Sequence, residues 1–433
     1  ANKAWEEFLA QLKTNYHKYY ELKYASITKS FESTGKIQDG SSVVRYVYIY
    51  DKLFAFVIET NTIEVFELHS ETLNNTLKSF VNDNEIYEDY SEAYHNLYNI
   101  LWKPLESAIN NTTVIIIPDG NLFNLSFEVL AHEKPNSYRD LYKVSLLKKY
   151  CISYNYSLLL INKNQSHKLF EKNFIAFSPE FTKEMKDNYV TVVSDSVFLD
   201  RSYLKLLPQP FVTDLAKDYS KVFDGSTFIN ENASKQIFTK TAKEHKIIHI
   251  GTHAESNNVT PELSRLIFAK NISDTLATDD NSLYTYEIYN QNLSSNLAIL
   301  TACETGKPTY QAGEGMISLA HAFNYAGSES ILTSLWKIDE KSSTEILEYF
   351  YENISDGMTK DLALKQAKLK YLENAEGRTL APQYWAGLVV IGNTSAIDLK
   401  TNNSQLLYGL LGILIIIIIV VIVKYSLNKK SSQ

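Results

Sequence analysis

The sequence HKIIHIGTH, residues 245–253, is a short apolar run that ends at a glycine followed by two polar side chains. Residues 295–302, SNLAILTA, repeat this pattern and lead directly into Cys303. Short, almost continuous apolar runs rich in β-branched residues are typical of strands buried on both faces of a sheet. We therefore predict two strands of a parallel sheet, each with a chemically reactive side chain just beyond its carboxyl end.

Outward from these two runs, strands alternate with amphipathic helices. Further apolar runs occur near 149–154, 173–178 and 329–336, and helical patterns lie near 204–220, 233–243, 314–326, 340–354 and 359–374. Upstream, β-branched and aromatic runs between 42 and 68 predict a meander, followed by a helix at about 86–110 and a strand that begins near 112. This order predicts an α/β fold, a three-layer α/β/α sandwich with a mostly parallel central sheet.

Composition excludes several classes of protein. The formal charge of −8, with no dense basic run, argues against nucleic acid as a partner, since phosphate binding requires clustered Lys and Arg. The chain has two cysteines, Cys151 and Cys303, too few for a disulfide scaffold or a four-thiolate metal site. One disulfide between them remains open, but both lie in apolar runs typical of buried strands.

The candidate chemistry centres on His253 and Cys303. Active sites of open α/β sheets form beyond the carboxyl ends of the strands, where both residues are predicted. An imidazole near a thiol favours the nucleophilic thiolate. The backbone N–H groups of Cys303 and Ala254 could then bind one oxyanion. His249 precedes His253 by four residues; it is either a satisfied core histidine or a support for the site.

Two other kinds of site receive little support. His245, His249 and His253 recur every four residues, which would align metal ligands on a helix, but the segment is β-branched and contains a glycine. The stretch AGEGMIS at 312–318 lacks the Gly-Lys-Ser/Thr ending of a phosphate-binding loop. We therefore predict no metal and no cofactor.

Several motifs, in order, resemble the CHAT family of caspase-like (clan CD) cysteine proteases, relatives of caspases and separase. They are IIHIGTHA, LAILTACETG, GEGMISLAHAFNYAGSESILTSLWKIDE, YFYENISDGMTKDLALKQAKLKYL and PQYWAGLVVIG, preceded by YVYIYDKLFAFVIE and IIIPDGNLFNLSFEVL. The resemblance runs from about 42 to 393. It implies a caspase-type sandwich and peptide-bond hydrolysis, with Cys303 as nucleophile and His253 as general acid/base. In IGTHA, Gly251 stands where the family more usually has an Ala before Thr-His. This change is small and keeps the dyad.

Two acidic residues are candidates for substrate recognition. Asp339 and Glu340 follow the run ESILTSLW. In separase, an acidic residue after a similar strand lines the pocket for a basic residue that precedes the cut. The resemblance thus implies a preference for Arg or Lys at that position. The alternative is that Asp339 caps the helix that follows it.

The C-terminal region predicts a membrane anchor. Residues 406–423, LLYGLLGILIIIIIVVIV, form an uncharged run of bilayer length. Three lysines follow it, so the positive-inside rule places the tail in the cytoplasm and the bulk of the chain outside it. We divide the chain into an N-terminal helical segment, a CHAT domain, a linker, a transmembrane helix and a basic tail, at 1–40, 42–393, 394–405, 406–423 and 424–433.

These observations predict a single-pass, membrane-anchored cysteine endopeptidase that acts on a protein or peptide substrate. The amphipathic helix at 2–24 suggests the end of an upstream helical-repeat region. The resemblance to the family implies that such a region, a separate partner or a signal activates the protease. The alternative is a catalytically silent CHAT pseudo-protease that serves as a protein-interaction module at the membrane. The intact His253 and Cys303 favour the enzyme.

Overall fold

The structure is a computed structural model that describes fifteen stretches of the chain. These are residues 2–15, 37, 40–69, 71–73, 76–77, 87–163, 170–193, 199–255, 257, 260–270, 281–301, 309–311, 315–317, 319–336 and 338–399. The described strands, in chain order, are β1 (Ser41–Ile49), β2 (Lys52–Ile58), β3 (Ile63–Leu68), β4 (Thr113–Ile117), β5 (Cys151–Tyr154), β6 (Lys172–Ser178), β7 (Ser226–Ile229), β8 (His245–Ile250), β9 (His253–Glu255), β10 (Arg265–Ile267), β11 (Ser282–Tyr284), β12 (Ser295–Leu300), β13 (Thr309–Gln311), β14 (Gly315–Ile317), β15 (Ser330–Ser334) and β16 (Leu388–Gly392).

Helices follow many of these strands along the chain. They are α1 (Asn2–Asn15), α2 (Tyr87–Leu97), α3 (Tyr138–Val144), α4 (Leu146–Lys149), α5 (Leu158–Lys163), α6 (Lys183–Val192), α7 (Arg201–Leu204), α8 (Pro210–Val222), α9 (Lys235–Thr241), α10 (Thr285–Tyr289), α11 (Leu319–Ala326), α12 (Glu340–Ser355) and α13 (Lys360–Asn374). The helix predicted at about 86–110 is shorter than expected: α2 ends at Leu97, and one π-helical turn, Tyr98–Trp102, follows it.

One large sheet organises the described chain. Its strand order is β3-β2-β1-β4-β5-β16-β15-β12-β8-β6-β7. Seven of the ten neighbouring pairs are parallel, and the antiparallel pairs are β1–β2, β2–β3 and β15–β16. The prediction of an α/β fold with a mostly parallel sheet is therefore confirmed, as is the meander at the start of the sheet.

Helices cover both faces of the sheet, because successive side chains of a strand point in opposite directions. On β12, Leu297 and Ile299 pack into a core with α8, α12 and α13. Ala298 and Leu300 pack on the other side, in a core that includes residues of α9, α10 and α11. The central strands thus have no solvent-facing side, which explains why their sequences are continuously apolar.

A buried ion pair joins a helix of one layer to the chain that follows β4. Lys368, on α13, contacts the carboxylate of Glu128, and both side chains are almost completely buried. Lys368 also donates a hydrogen bond to the carbonyl of Leu388 in β16, at 2.5 Å. Burial raises the pKa of Glu128 and lowers that of Lys368. Because a buried charge without its counter-charge is unfavourable, removal of either residue alone should destabilise the fold.

The predicted membrane span lies outside the described residues. Among the residues that are described, no helix has both the length and the apolar character needed to cross a bilayer. The apolar run at 406–423 begins after Leu399, where the described chain ends.

Candidate functional site

The two strands that carry the candidate dyad are neighbours in the sheet. β8 and β12 are parallel, and Ile250 lies opposite Leu300. His253 follows Ile250 by three residues, and Cys303 follows Leu300 by three residues. Cys303 itself lies outside the described residues; Thr301 is the last described residue before it. The chain therefore leaves β8 and β12 at the same edge of the sheet, three residues before His253 in one strand and three residues before Cys303 in the other.

The ring of His253 is held by a backbone carbonyl. His253 opens the short strand β9 rather than lying in the predicted loop, opposite Ile267 of β10. Its Nε2 lies 2.8 Å from the carbonyl oxygen of Leu207, and its ring packs on Phe181 with centroids 5.3 Å apart. Because a carbonyl oxygen only accepts hydrogen bonds, Nε2 carries the proton. Nδ1 is then the basic nitrogen of the neutral ring.

The orienting group of His253 could not be found from the sequence. It belongs to the backbone of Leu207, a residue 46 positions earlier in the chain. A main-chain carbonyl has no signature among residue types, so only the folded chain identifies it.

Gly251 is needed for close packing. Its φ is not in the left-handed region, and a Cβ at this position would overlap the Cγ2 atom of Val212. Val212 lies in the first turn of α8. The absence of a side chain at Gly251 therefore allows α8 to approach the end of β8, directly before His253.

His249 is a core histidine with both ring nitrogens bonded. Its Nε2 lies 3.2 Å from the hydroxyl of Thr301, and its Nδ1 lies 2.8 Å from the hydroxyl of Tyr351. The Thr301 hydroxyl donates to the carbonyl of Ile250 at 3.3 Å, so it accepts from Nε2–H of His249. Tyr351 then donates to Nδ1. This chain of bonds ties helix α12 to the end of β12, two residues before Cys303.

Burial of His249 predicts a specific loss of stability in acid. Burial lowers the pKa of His249 from 6.5 to about 3. As the pH falls, the unfolded chain therefore binds a proton at His249 that the folded chain does not bind. The contribution of neutral His249 to the free energy of unfolding is complete above pH 6.5 and decreases as the pH falls toward 3. Between pH 7.5 and 5, this residue alone accounts for a loss on the order of 2 kcal/mol in the free energy of unfolding.

Urea denaturation between pH 7.5 and 5 measures this loss. We expect His249→Gln to be less stable than the wild type at pH 7.5 but to lose less stability on acidification. His132→Gln is the matched control, because the His132 side chain is about half exposed. Equal pH dependence in the wild type and His249→Gln would contradict the prediction.

The two acidic candidates each cap a helix. Asp339 is the N-cap of α12, and its Oδ1 accepts hydrogen bonds from the amide and the hydroxyl of Ser342, both at 2.9 Å. Glu340 caps a different helix: its Oε1 accepts from the amide of Val212 in α8, at 3.2 Å. Burial raises the pKa of Glu340, while the amides of Val212 and Phe211 act in the opposite direction. The capping alternative for Asp339 is therefore observed; a role in substrate recognition stays a prediction.

The remaining candidates are placed more simply. Ala254 lies in β9 opposite Leu266, and its role in an oxyanion site stays a prediction. Cys151 is a buried free thiol in β5, and burial raises its pKa, which suits a structural rather than a nucleophilic residue. His245 and His249 share the strand β8, so the four-residue spacing does not align them as it would on a helix. Within the described part of the chain, no three acidic, His or Cys side chains converge as metal ligands.

Comparisons with known proteins agree with this architecture. Human and mouse tetratricopeptide repeat protein 28 are 21% and 20% identical to the chain over 72% of its length, and the chain spans only 13% and 14% of theirs. The structure of the separase–securin complex of Saccharomyces cerevisiae superposes with a TM-score of 0.51 at 10% identity, covering 84% of this chain and 31% of that one. The family model of the CHAT domain matches residues 91–393. The chain therefore belongs to the CHAT domain family, and its fold is that of a caspase-like protease.

Proposed function

We propose that this chain is a cysteine endopeptidase in which Cys303 attacks a peptide carbonyl and His253 transfers the proton. The shared register of Ile250 and Leu300 carries the proposal, because it leads the chain to both residues from adjacent strand ends. The bond from Nε2 of His253 to Leu207 supports it further, since that bond orients the ring and places a proton on Nε2.

In the proposed reaction, Nδ1 of His253 accepts the proton of the Cys303 thiol, and the thiolate attacks the scissile carbonyl. The backbone amides of Cys303 and Ala254 stabilise the oxyanion. The imidazolium then gives its proton to the leaving amine, and the acyl group remains on sulfur as a thioester. Water, deprotonated by the same imidazole, hydrolyses the thioester and restores the thiol.

The proposed substrate is a protein or peptide with a basic residue before the cut. Asp339 and Glu340 carry the negative charge that would bind it, and Glu180 adds to the negative charge near Glu340. Asp339 is exposed to solvent, so its carboxylate can contact a ligand while it also caps the helix. Asp339→Ala should reduce the preference for Arg and Lys, at a cost to stability of about 1 kcal/mol for the lost cap.

Regulation by a protein partner forms part of the proposal. The curated relatives are named for tetratricopeptide repeats, which are helical hairpin repeats, and the chain spans only a small part of their length. The separase structure contains securin as a second protein. We propose that a helical-repeat region or a separate protein controls this protease.

We further propose that residues 406–423 anchor the protein in a membrane as a single span, with the basic tail on the cytoplasmic side. This rests on the apolar run and on the three lysines that follow it. Digestion of intact vesicles with an added protease, followed by mass spectrometry, would show which side carries the CHAT domain. Recovery of the chain in the soluble fraction would refute the anchor.

The decisive experiment compares the wild-type chain with Cys303→Ala and Cys151→Ala. Each is incubated with thiol-directed peptide probes that vary at the residue before the reactive group, and labelling is measured by intact mass. We expect labelling of the wild type and Cys151→Ala only, with a preference for Arg or Lys. Labelling that survives in Cys303→Ala would refute the assignment. Folded wild type that stays unlabelled would support the silent interaction module.

A further inference from the structure

The segment LPQPF, Leu207–Phe211, connects the candidate catalytic histidine to the acidic pair, and hydrogen bonds anchor it in the middle and near both ends. The Leu207 carbonyl accepts from Nε2 of His253 at 2.8 Å. In the middle, the amide of Gln209 donates to the carbonyl of Glu180 at 3.0 Å. At the far end, the amide of Val212, the next residue, donates to Glu340 at 3.2 Å. Pro208 and Pro210 restrict the backbone further, so the segment is held rigidly beside the site.

Its side chains face opposite ways. Gln209 is buried, whereas the side chains of Leu207 and Phe211 point toward solvent. Leu207 is 69% exposed, more than any other large aliphatic residue in the described chain, and Phe211 is 46% exposed. The preceding Leu206 instead packs on a small core around Phe181. Exposed apolar side chains that adjoin a reactive group are characteristic of ligand-binding surfaces.

We propose that Leu207 and Phe211 form a substrate subsite that binds an apolar side chain next to the basic residue at the cut. This rests on the proposed function and extends it to a second substrate position. An extended peptide advances about 3.3 Å per residue. Leu207 lies one hydrogen bond from the imidazole, so the residue that reaches it is within about two positions of the scissile bond.

The negative charge near the segment indicates which second side chain the bound peptide carries. Glu340 holds the Phe211 end of the segment by its contacts with the amides of Val212 and Phe211, and Asp339 and Glu180 lie close enough to raise its pKa. One end of the segment thus carries negative charge beside an aromatic ring, and the other end carries a leucine beside the histidine. The peptide that complements it combines a basic side chain with a neighbouring large apolar one.

Equilibrium binding tests this subsite without requiring catalysis. Two fluorescent peptides share an arginine and differ only in leucine or serine at the two positions before it. Their binding to the full chain carrying Cys303→Ala is measured by anisotropy. We expect the leucine peptide to bind about tenfold more tightly. Adding Leu207→Ser and Phe211→Ser should bring this ratio to about one, because the affinity of the leucine peptide falls to that of the serine peptide.

Val222→Ser is the matched control. Val222 is 41% exposed at the opposite end of α8, so its replacement removes a similar apolar surface away from the segment. The ratio should stay near ten in this variant. A ratio that is unchanged by the double substitution, a ratio of one in the starting protein, or no binding of either peptide would overturn the subsite. Hydrolysis by the wild type is measured in parallel: a leucine preference without cleavage would retain the subsite and separate it from the proposed hydrolysis.

Discussion

Replacing His253 with alanine should lower the rate of peptide hydrolysis by about two to four orders of magnitude. The substitution removes the only group in the proposed reaction that can take the thiol proton and return it to the leaving amine. It should also change the thiol itself. Without the imidazole, the Cys303 thiolate should form only near the ordinary cysteine pKa of about 8.5, so alkylation of Cys303 by iodoacetamide should become slower at neutral pH.

Two measurements separate this effect from misfolding. Thermal unfolding should change little, because the His253 ring is only partly buried. His132→Ala, at a half-exposed histidine distant in sequence from the site, should retain full activity. Normal hydrolysis by His253→Ala, or an unchanged pH profile of Cys303 alkylation, would exclude His253 as the base.

The second large effect concerns stability. Lys368→Met should decrease the free energy of unfolding by about 3–5 kcal/mol, because it leaves the Glu128 carboxylate buried without its counter-charge. The Leu388 carbonyl also loses its donor. Urea denaturation at pH 7 measures the change. The double variant Glu128→Leu/Lys368→Met should recover much of the loss, since it removes both buried charges together.

Helix α13 provides a matched control. Lys370, two residues after Lys368, pairs with Glu352 at 3.0 Å, but both side chains are about half exposed. Lys370→Met should therefore change the stability by no more than about 1 kcal/mol. Similar losses for the two methionine variants would show that burial of the Glu128–Lys368 pair has no special importance.

Much of the architecture could be predicted from the sequence because it depends on local patterns. The apolar runs at 245–250 and 295–300 require strands buried on both faces, and helices that cover them follow from the 3.6-residue periodicity between the runs. The family motifs identified the CHAT domain, and Asp339 has the residue type and position of a helix N-cap. Each of these conclusions needs only neighbouring residues in the chain.

Other features depend on contacts between distant segments, which no local pattern encodes. β16 was not predicted as a strand, and its antiparallel pairing with β15 is decided by the topology of the sheet. The short sheet β9–β11 turns the predicted loop at His253 into a strand. Glu340 caps a helix that begins 130 residues before it, because α8 and α12 pack side by side.

The sequence by itself determined most strands of the large sheet, several of the helices that cover it, the family and the two residue types suited to thiol chemistry. Only the tertiary structure decided that β8 and β12 are neighbours, that Leu207 holds the proton on Nε2 of His253, and that LPQPF lies between the histidine and the acidic pair. The physical reason is that secondary structure follows from the periodicity of side chains along one segment. A site is built from the pairing of segments far apart in the chain, and the carbonyl of Leu207 contributes to it through geometry alone.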